Sequence, residues 1–232
     1  MILNPIRKVL SSMRTNGVQA LLIGGQACVF YGAAEFSRVW KFAIPDKPEN
    51  PARLQSALDD LQAKPIAVPP FRAEFLRRGH AVHFRCAHPE AMHLRVDVMS
   101  KMRGVDEFTL LWERRTTVES AGEEFDLLSL PDLVRAKKTQ RDKDWPMIRR
   151  LLEAHYFEFN QNPSPPQIEF WLRELRTPLL LREVVTSHLD ILKRLRDERR
   201  VLDLLWQNAD DTVLHSALHD EEQRERAADR AY

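Results

Sequence analysis

Apolar residues at Ile6, Val9, Leu10 and Met13 recur at helical spacing, which predicts an amphipathic helix that starts near Pro5 and stops at Asn16-Gly17. The pattern then changes. Residues 20–23 form a short apolar run that ends on Gly24-Gly25, the signature of a buried strand, a tight turn and a helix beginning at Gln26. A second strand is predicted over 39–44, and Leu54, Leu58 and Leu61 define a helix over 51–61. Pro65, Pro69 and Pro70 confine the next segment to a loop or a sheet edge. Residues 81–86 and 93–99 read as a strand pair joined through His88-Pro89-Glu90, with further strands at 116–118 and 125–127.

Beyond Leu128 the periodicity is helical almost throughout. Ser129 is placed to cap a helix with Pro131 in its first turn and Asp132 near the positive end of its dipole. Residues 160–166, rich in Asn and Pro, read as a linker, and 168–175, 179–192 and 201–218 carry apolar residues at helical spacing. The charged tail from Asp220 to Tyr232 is expected to fray or stay exposed. The class is therefore α/β: a small mixed sheet with flanking helices over 1–127, then a helical region over 128–232.

Composition narrows the setting more than the chemistry. A chain of 232 residues with 44% hydrophobic and 30% charged residues has the balance of a globular protein. A net charge of +1 gives no global attraction to nucleic acid or to an anionic membrane. Cys28 and Cys86 form neither a metal-ligand spacing nor a disulfide framework, which suits a reducing compartment. With no apolar run of membrane-spanning length and no signal-peptide pattern, the expected location is the cytoplasm and no membrane partner is expected.

Three segments carry candidate chemistry. Gly24 and Gly25 lack side chains, so backbone N–H groups there can approach phosphates while the following helix adds a favourable dipole. Ser37 and Arg38 follow. Asp97 sits in Leu94-Arg95-Val96-Asp97-Val98-Met99, where a buried carboxylate needs a partner or a metal; Arg95 and Arg38 are the candidate partners. Lys137 falls at helical spacing from Leu130, Leu133 and Val134, pointing toward the packed side. There it can meet phosphate oxygens or snorkel past apolar neighbours. Arg141 extends the basic character, and Asp142 and Asp144 partly cancel it. The histidines between His80 and His93 include no compact ligand pair, although His83 and His88 could meet across a turn. The basic run from Lys193 to Arg200 reads either as a phosphate-binding stripe or as a solvated helix face.

Taken together, Gly24-Gly25 with Ala27 and Arg38, Asp97 in its apolar strand, and the helix carrying Leu133, Lys137 and Arg141 resemble the nucleotidyltransferase superfamily. The resemblance is to the minimal DNA-polymerase-beta-like core, of the abortive-infection and toxin–antitoxin type. It implies Asp97 as the catalytic acid and Gly24, Gly25, Ser37, Arg38, Lys137 and Arg141 as nucleotide- or phosphate-binding residues. The ligand implied is a nucleoside triphosphate, ATP or GTP, with magnesium, and the acceptor a hydroxyl on RNA, protein or a small molecule.

In that family two acids one residue apart follow the glycine turn and, with the later strand acid, hold two magnesium ions. Here they align either with Val39 and Lys41 or with Phe42 and Ile44, and neither pair contains a carboxylate. The nearest acids are Glu35 and Asp46. Losing two oxygen ligands weakens a hard-cation site severely, and Lys41 is expected to stand where a metal would be. Two classes follow: a nucleotidyltransferase-like protein with impaired or lost two-metal catalysis, or a non-catalytic nucleotide-binding component of a toxin–antitoxin or phage-defence pair with a cognate partner.

Overall fold

A computed structural model describes residues 4–35, 37, 39–120 and 122–232. The chain forms two compact units, one made of residues up to Phe30 together with Ala34–Ala136, the other of Tyr31–Ala33 with Lys137–Tyr232. No described helix is long and apolar enough to cross a membrane.

The first unit is built on a seven-stranded mixed sheet. In chain order its elements are α1 (Asn4–Thr15), β1 (Leu21–Ile23), α2 (Gly24–Phe30), β2 (Val39–Ala43), α3 (Asn50–Asp60), β3 (Lys64–Pro65), α4 (Ala73–Arg77), β4 (Val82–Arg85), β5 (Arg95–Met99), α5 (Phe108–Glu113), β6 (Thr116–Ser120), β7 (Glu123–Leu127) and α6 (Leu130–Lys137). The strand order is β3-β4-β5-β2-β1-β7-β6. Strands β2 and β5 run parallel, as do β1 and β7, while β1–β2, β3–β4, β4–β5 and β6–β7 are antiparallel. The α/β reading of the sequence is met. One difference has a simple cause, and the sheet-edge expectation for Pro65 is met. Helix α2 starts on Gly24 rather than Gln26, because Gly24 takes φ +71° and lets the chain turn directly out of β1. Pro65 occupies the short edge strand β3, where its missing N–H costs no ladder bond on the outer side.

Alternation along the central strands divides the sheet into unlike faces. Cross-strand partners share a face, so Trp40 and Phe84 opposite Val96, and Phe42 and Val82 opposite Val98, make one continuous apolar surface. All six are buried. The other face at the same level carries His83, Asp97, Lys41 and Ile23 in one row across β4, β5, β2 and β1. The hydrophobic face anchors the strands, and that fixes the polar row.

The second unit is helical: α7 (Asp144–Phe159), α8 (Pro165–Glu174), α9 (Pro178–Ser187), α10 (Leu189–Leu195), α11 (Arg200–Trp206) and α12 (Asp211–Ala231). Helix α8 begins on a capping box, with Ser164 N–H donating to Gln167 Oε1 at 2.8 Å. Trp171, Leu172, Leu181, Leu192 and Leu202 are buried.

Of the two expectations for the tail, exposure is met and fraying is not: it continues α12 with no buried residue from Asp220 to Tyr232. Asp210 Oδ1 accepts from Val213 N–H at 3.0 Å. Glu221 bridges Arg176 at 2.9 Å and Arg199 at 2.8 Å, and Glu222 holds Arg226 at 2.7 Å. Charge alone suggested exposure; paired charge at helical spacing tethers the helix.

Candidate functional site

Asp97 is the centre of the polar row, at 2 % exposure. Arg95, two residues back on β5 and therefore on the same face, donates from Nε to Oδ1 at 2.8 Å. His83, its antiparallel partner on β4, brings Nδ1 to 2.8 Å from the same oxygen. Lys41, its parallel partner on β2, places Nζ 3.8 Å from Oδ2. Three basic side chains thus surround one buried carboxylate. The cations keep access to water, since Lys41 is 30 % and Arg95 41 % exposed.

The glycine turn packs against this row. A Cβ at Gly24 would lie 3.2 Å from Lys41 Cδ and 3.4 Å from its Cβ, so the lysine stem lies along the bare backbone of the turn. A Cβ at Gly25 would meet Ser37 Oγ at 2.7 Å, and that hydroxyl donates to Val39 O at 3.3 Å. Gln26, next in the turn, is buried, and its Oε1 has no hydrogen-bond partner. Arg38, the remaining residue expected at this turn, lies outside the described residues.

Of the positions considered for the missing acids, Val39 and Lys41 share the sheet face of Asp97. Lys41 faces Asp97 directly and Val39 lies two residues away on the same face, whereas Phe42 lies on the buried apolar face.

Lys137 and Arg141 belong to the helical unit and gather on Asp144. Lys137, at 8 % exposure, points inward as its spacing implied, and its Nζ donates to Asp144 Oδ1 at 3.3 Å. Thr139 Oγ1 donates to Oδ2 at 2.6 Å and Arg141 Nε at 2.8 Å. Burial pushes the Asp144 carboxyl up, but these three donors outweigh it and hold the carboxyl below the usual range. In the basic run, Arg194 pairs with Glu169, Arg199 with Glu221 and Arg200 with Asp220, the arrangement of a helix face tied by ion pairs.

No family model matches the chain, and no curated protein matches it. Five chains of solved structures do. One is described as the crystal structure of a "putative nucleotidyltransferase" from H. pylori; it is 12% identical, with 98% of this chain and 94% of that one covered and a TM-score of 0.41. A likeness this faint says nothing of activity, substrate or site.

The donor set around Asp97 does not fit magnesium, which is bound through carboxylates and other oxygen ligands. Asp97 already serves Arg95 and His83. Asp46 pairs with Arg77 at 3.8 Å, and Glu35 is exposed. Among the described residues no group of three His, Cys, Asp or Glu side chains is placed to hold a metal ion. His88 Nδ1 accepts from Glu90 N–H at 3.1 Å within its own turn. Burial pushes the Cys86 thiol up to about 11, away from the thiolate form a metal would need.

The sequence reading missed the link between His83 and Asp97. Equal offsets about 88–90 put His83 opposite Arg95; the observed register is centred on residue 90 and brings His83 opposite Asp97. The pairing considered for His83 as a metal ligand was with His88, not with Asp97.

Proposed function

We propose that this chain is a nucleotidyltransferase-like protein that has lost two-metal nucleotidyl transfer and binds the phosphates of a nucleoside triphosphate without magnesium. One observation carries the reading: Lys41 stands directly across from Asp97, at the strand position where the resemblance calls for an acid. A fixed ammonium and a guanidinium replace mobile divalent charge. They can attract phosphate oxygens, but they cannot supply the metal-bound hydroxyl that two-metal transfer uses.

In this reading Gly24 and Gly25 offer backbone N–H groups, Ser37 and Arg38 flank them, and Lys41 and Arg95 add positive charge. Lys137 and Arg141 remain engaged with Asp144 within the second unit. Asp97 holds the cations in place rather than a metal. Such a protein suits the regulatory half of a toxin–antitoxin or phage-defence pair, with ATP or GTP as its signal.

The test is transfer of label from α-labelled ATP or GTP to RNA, protein or water in magnesium. No magnesium-stimulated transfer is expected. Robust magnesium-dependent transfer that Asp97→Ala abolishes would overturn the reading.

A further inference from the structure

A cleft of about 370 Å³ opens in the helical unit, within the size range of small-molecule sites. Trp145 and Arg149 line it from α7, Leu218, His219 and Arg226 from α12, and Arg176 from the connection between α8 and α9. Its charge does not balance. Arg176 and Arg199 are almost wholly buried, with side chains 6 % and 7 % exposed, and both close on the one carboxylate of Glu221, at 2.9 Å and 2.8 Å. The neighbouring acids are already engaged: Glu174 by Lys138 at 2.8 Å, and Glu222 by Arg226 at 2.7 Å, which also pairs with Asp142.

The two buried guanidiniums are served differently. Arg199 also donates to Leu172 O and Leu175 O, each at 2.9 Å. Arg176 donates from Nη2 to Glu221, whereas its Nε is sealed from solvent with no acceptor and its Nη1 has none among the described residues. Burial lowers the Arg176 guanidinium from its ordinary value, and Glu221 does not make up the loss beside Arg199. The group is held in place over Trp145, 4.7 Å from the ring centroid, and the indole is itself fixed by Nε1–H donating to Thr139 O at 2.8 Å. Arg149 spends only Nε, on Glu153, so its two Nη groups remain as a fork. A buried cation in excess is costly until an anion meets it.

We propose that this cleft binds the dianionic phosphate group of a small phosphomonoester. The Arg149 fork takes two phosphate oxygens and Arg176 Nη1 the third. A carboxylate, with two oxygens and one charge, would satisfy one guanidinium and leave the other open. Leu218 and His219 form the part of the wall left for the ester substituent. The proposal concerns the helical unit alone and does not depend on the nucleotide reading of the Asp97 site.

The experiment titrates the full chain calorimetrically, in EDTA and at constant ionic strength, with inorganic phosphate, glycerol 3-phosphate and dimethyl phosphate. Lys41→Ala is the background, so that phosphate taken up beside Asp97 is not counted. Glycerol 3-phosphate is expected to bind at one site, and dimethyl phosphate, with a single negative charge, more weakly than either dianion. Arg149→Ala is expected to weaken binding about 10-fold, the scale of hydrogen bonds to a charged group, and Arg176→Met to abolish it. Arg150→Ala, one residue along α7 and outside the cleft, is expected to leave it unchanged. Inorganic phosphate bound as tightly as the ester would support the phosphate site and name free phosphate as its source. No binding of either dianion at millimolar concentration, equal binding of dimethyl phosphate, or equal losses in Arg149→Ala and Arg150→Ala would overturn the proposal. If Arg176→Met does not fold, the Arg149→Ala and Arg150→Ala pair decides. Whether the same chain binds ATP tests the other reading and leaves this one unaffected.

Discussion

Lys41 and Asp97 are direct cross-strand partners in the parallel β2–β5 pair, with Nζ 3.8 Å from Oδ2. An ammonium at that position and a divalent cation are alternatives, because both would occupy the space beside the one buried carboxylate. The lysine also lies against Gly24, so the glycine turn and the charged row form one packed group.

Replacing Lys41 by aspartate exchanges an attraction for two carboxylates facing each other. Lys41→Asp is expected to destabilise by about 1–3 kcal/mol in EDTA, since like charges directly opposite on neighbouring strands repel and one must become protonated. Magnesium is expected to raise the melting temperature of Lys41→Asp, as a ligand of the folded state alone does, and to leave wild type unchanged. Thermal unfolding of both proteins with and without magnesium checks this.

Two of the buried acids, Asp97 and Asp144, should differ in cost. Asp97→Ala leaves Lys41 and Arg95 partly exposed and able to regain water, so a loss of about 1–2 kcal/mol is expected. Asp144→Ala strands the buried Lys137 and is expected to cost about 3 kcal/mol or more, because an uncompensated buried charge is expensive. Denaturant unfolding of the two variants measures the difference.

At the turn, Gly24→Ala forces an alanine to φ +71° and presses on Lys41, for an expected loss of about 1–2 kcal/mol. Gly25 has a different constraint, the Ser37 hydroxyl 2.7 Å from any added Cβ. Gly25→Ala is therefore expected to be relieved by Ser37→Gly in the double variant, whereas Gly24→Ala is not. A double-mutant cycle of unfolding free energies separates the two cases.

Acid should weaken the helical unit in two stages. Burial holds His155 below its ordinary 6.5, so the unfolded chain takes up that proton first. Its contribution is full above 6.5 and declines as pH falls through that value toward the lower folded one. Asp144, held below its ordinary 3.8, contributes above that value and loses its contribution as pH falls further. His155→Gln, which retains an acceptor for Trp171 Nε1–H, now bonded at 2.9 Å, is expected to remove the first decline and keep the second. Unfolding free energy against pH for both proteins gives the comparison.

Much of the fold was legible because periodicity reports burial directly. Trp40, Phe42, Val96 and Val98 alternate as one apolar face must, and Leu54 and Leu58 mark α3. The helices α4 and α5 went unseen because five or six residues hold too little periodicity to register. The site was legible in its parts and not in its pairing. Gly24, Gly25, Lys41 and Asp97 stood out by residue type, but which of two alignments placed Lys41 beside Asp97 depended on a register between strands more than fifty residues apart. His83 was hidden by the exact register of a short hairpin, which is centred on residue 90 rather than 89. The tail's exposure was legible from its charge, but its helical continuation was not, because charge content alone does not reveal that Glu221 faces Arg176 and Arg199.

The central claim is that fixed cations stand where divalent metal would bind. Calorimetric titration of the full chain with ATP and with GTP, in magnesium and in EDTA, tests it most directly. The account predicts binding of similar affinity in both buffers, weakened in Lys41→Ala. Binding that requires magnesium, or none in either buffer, would contradict it.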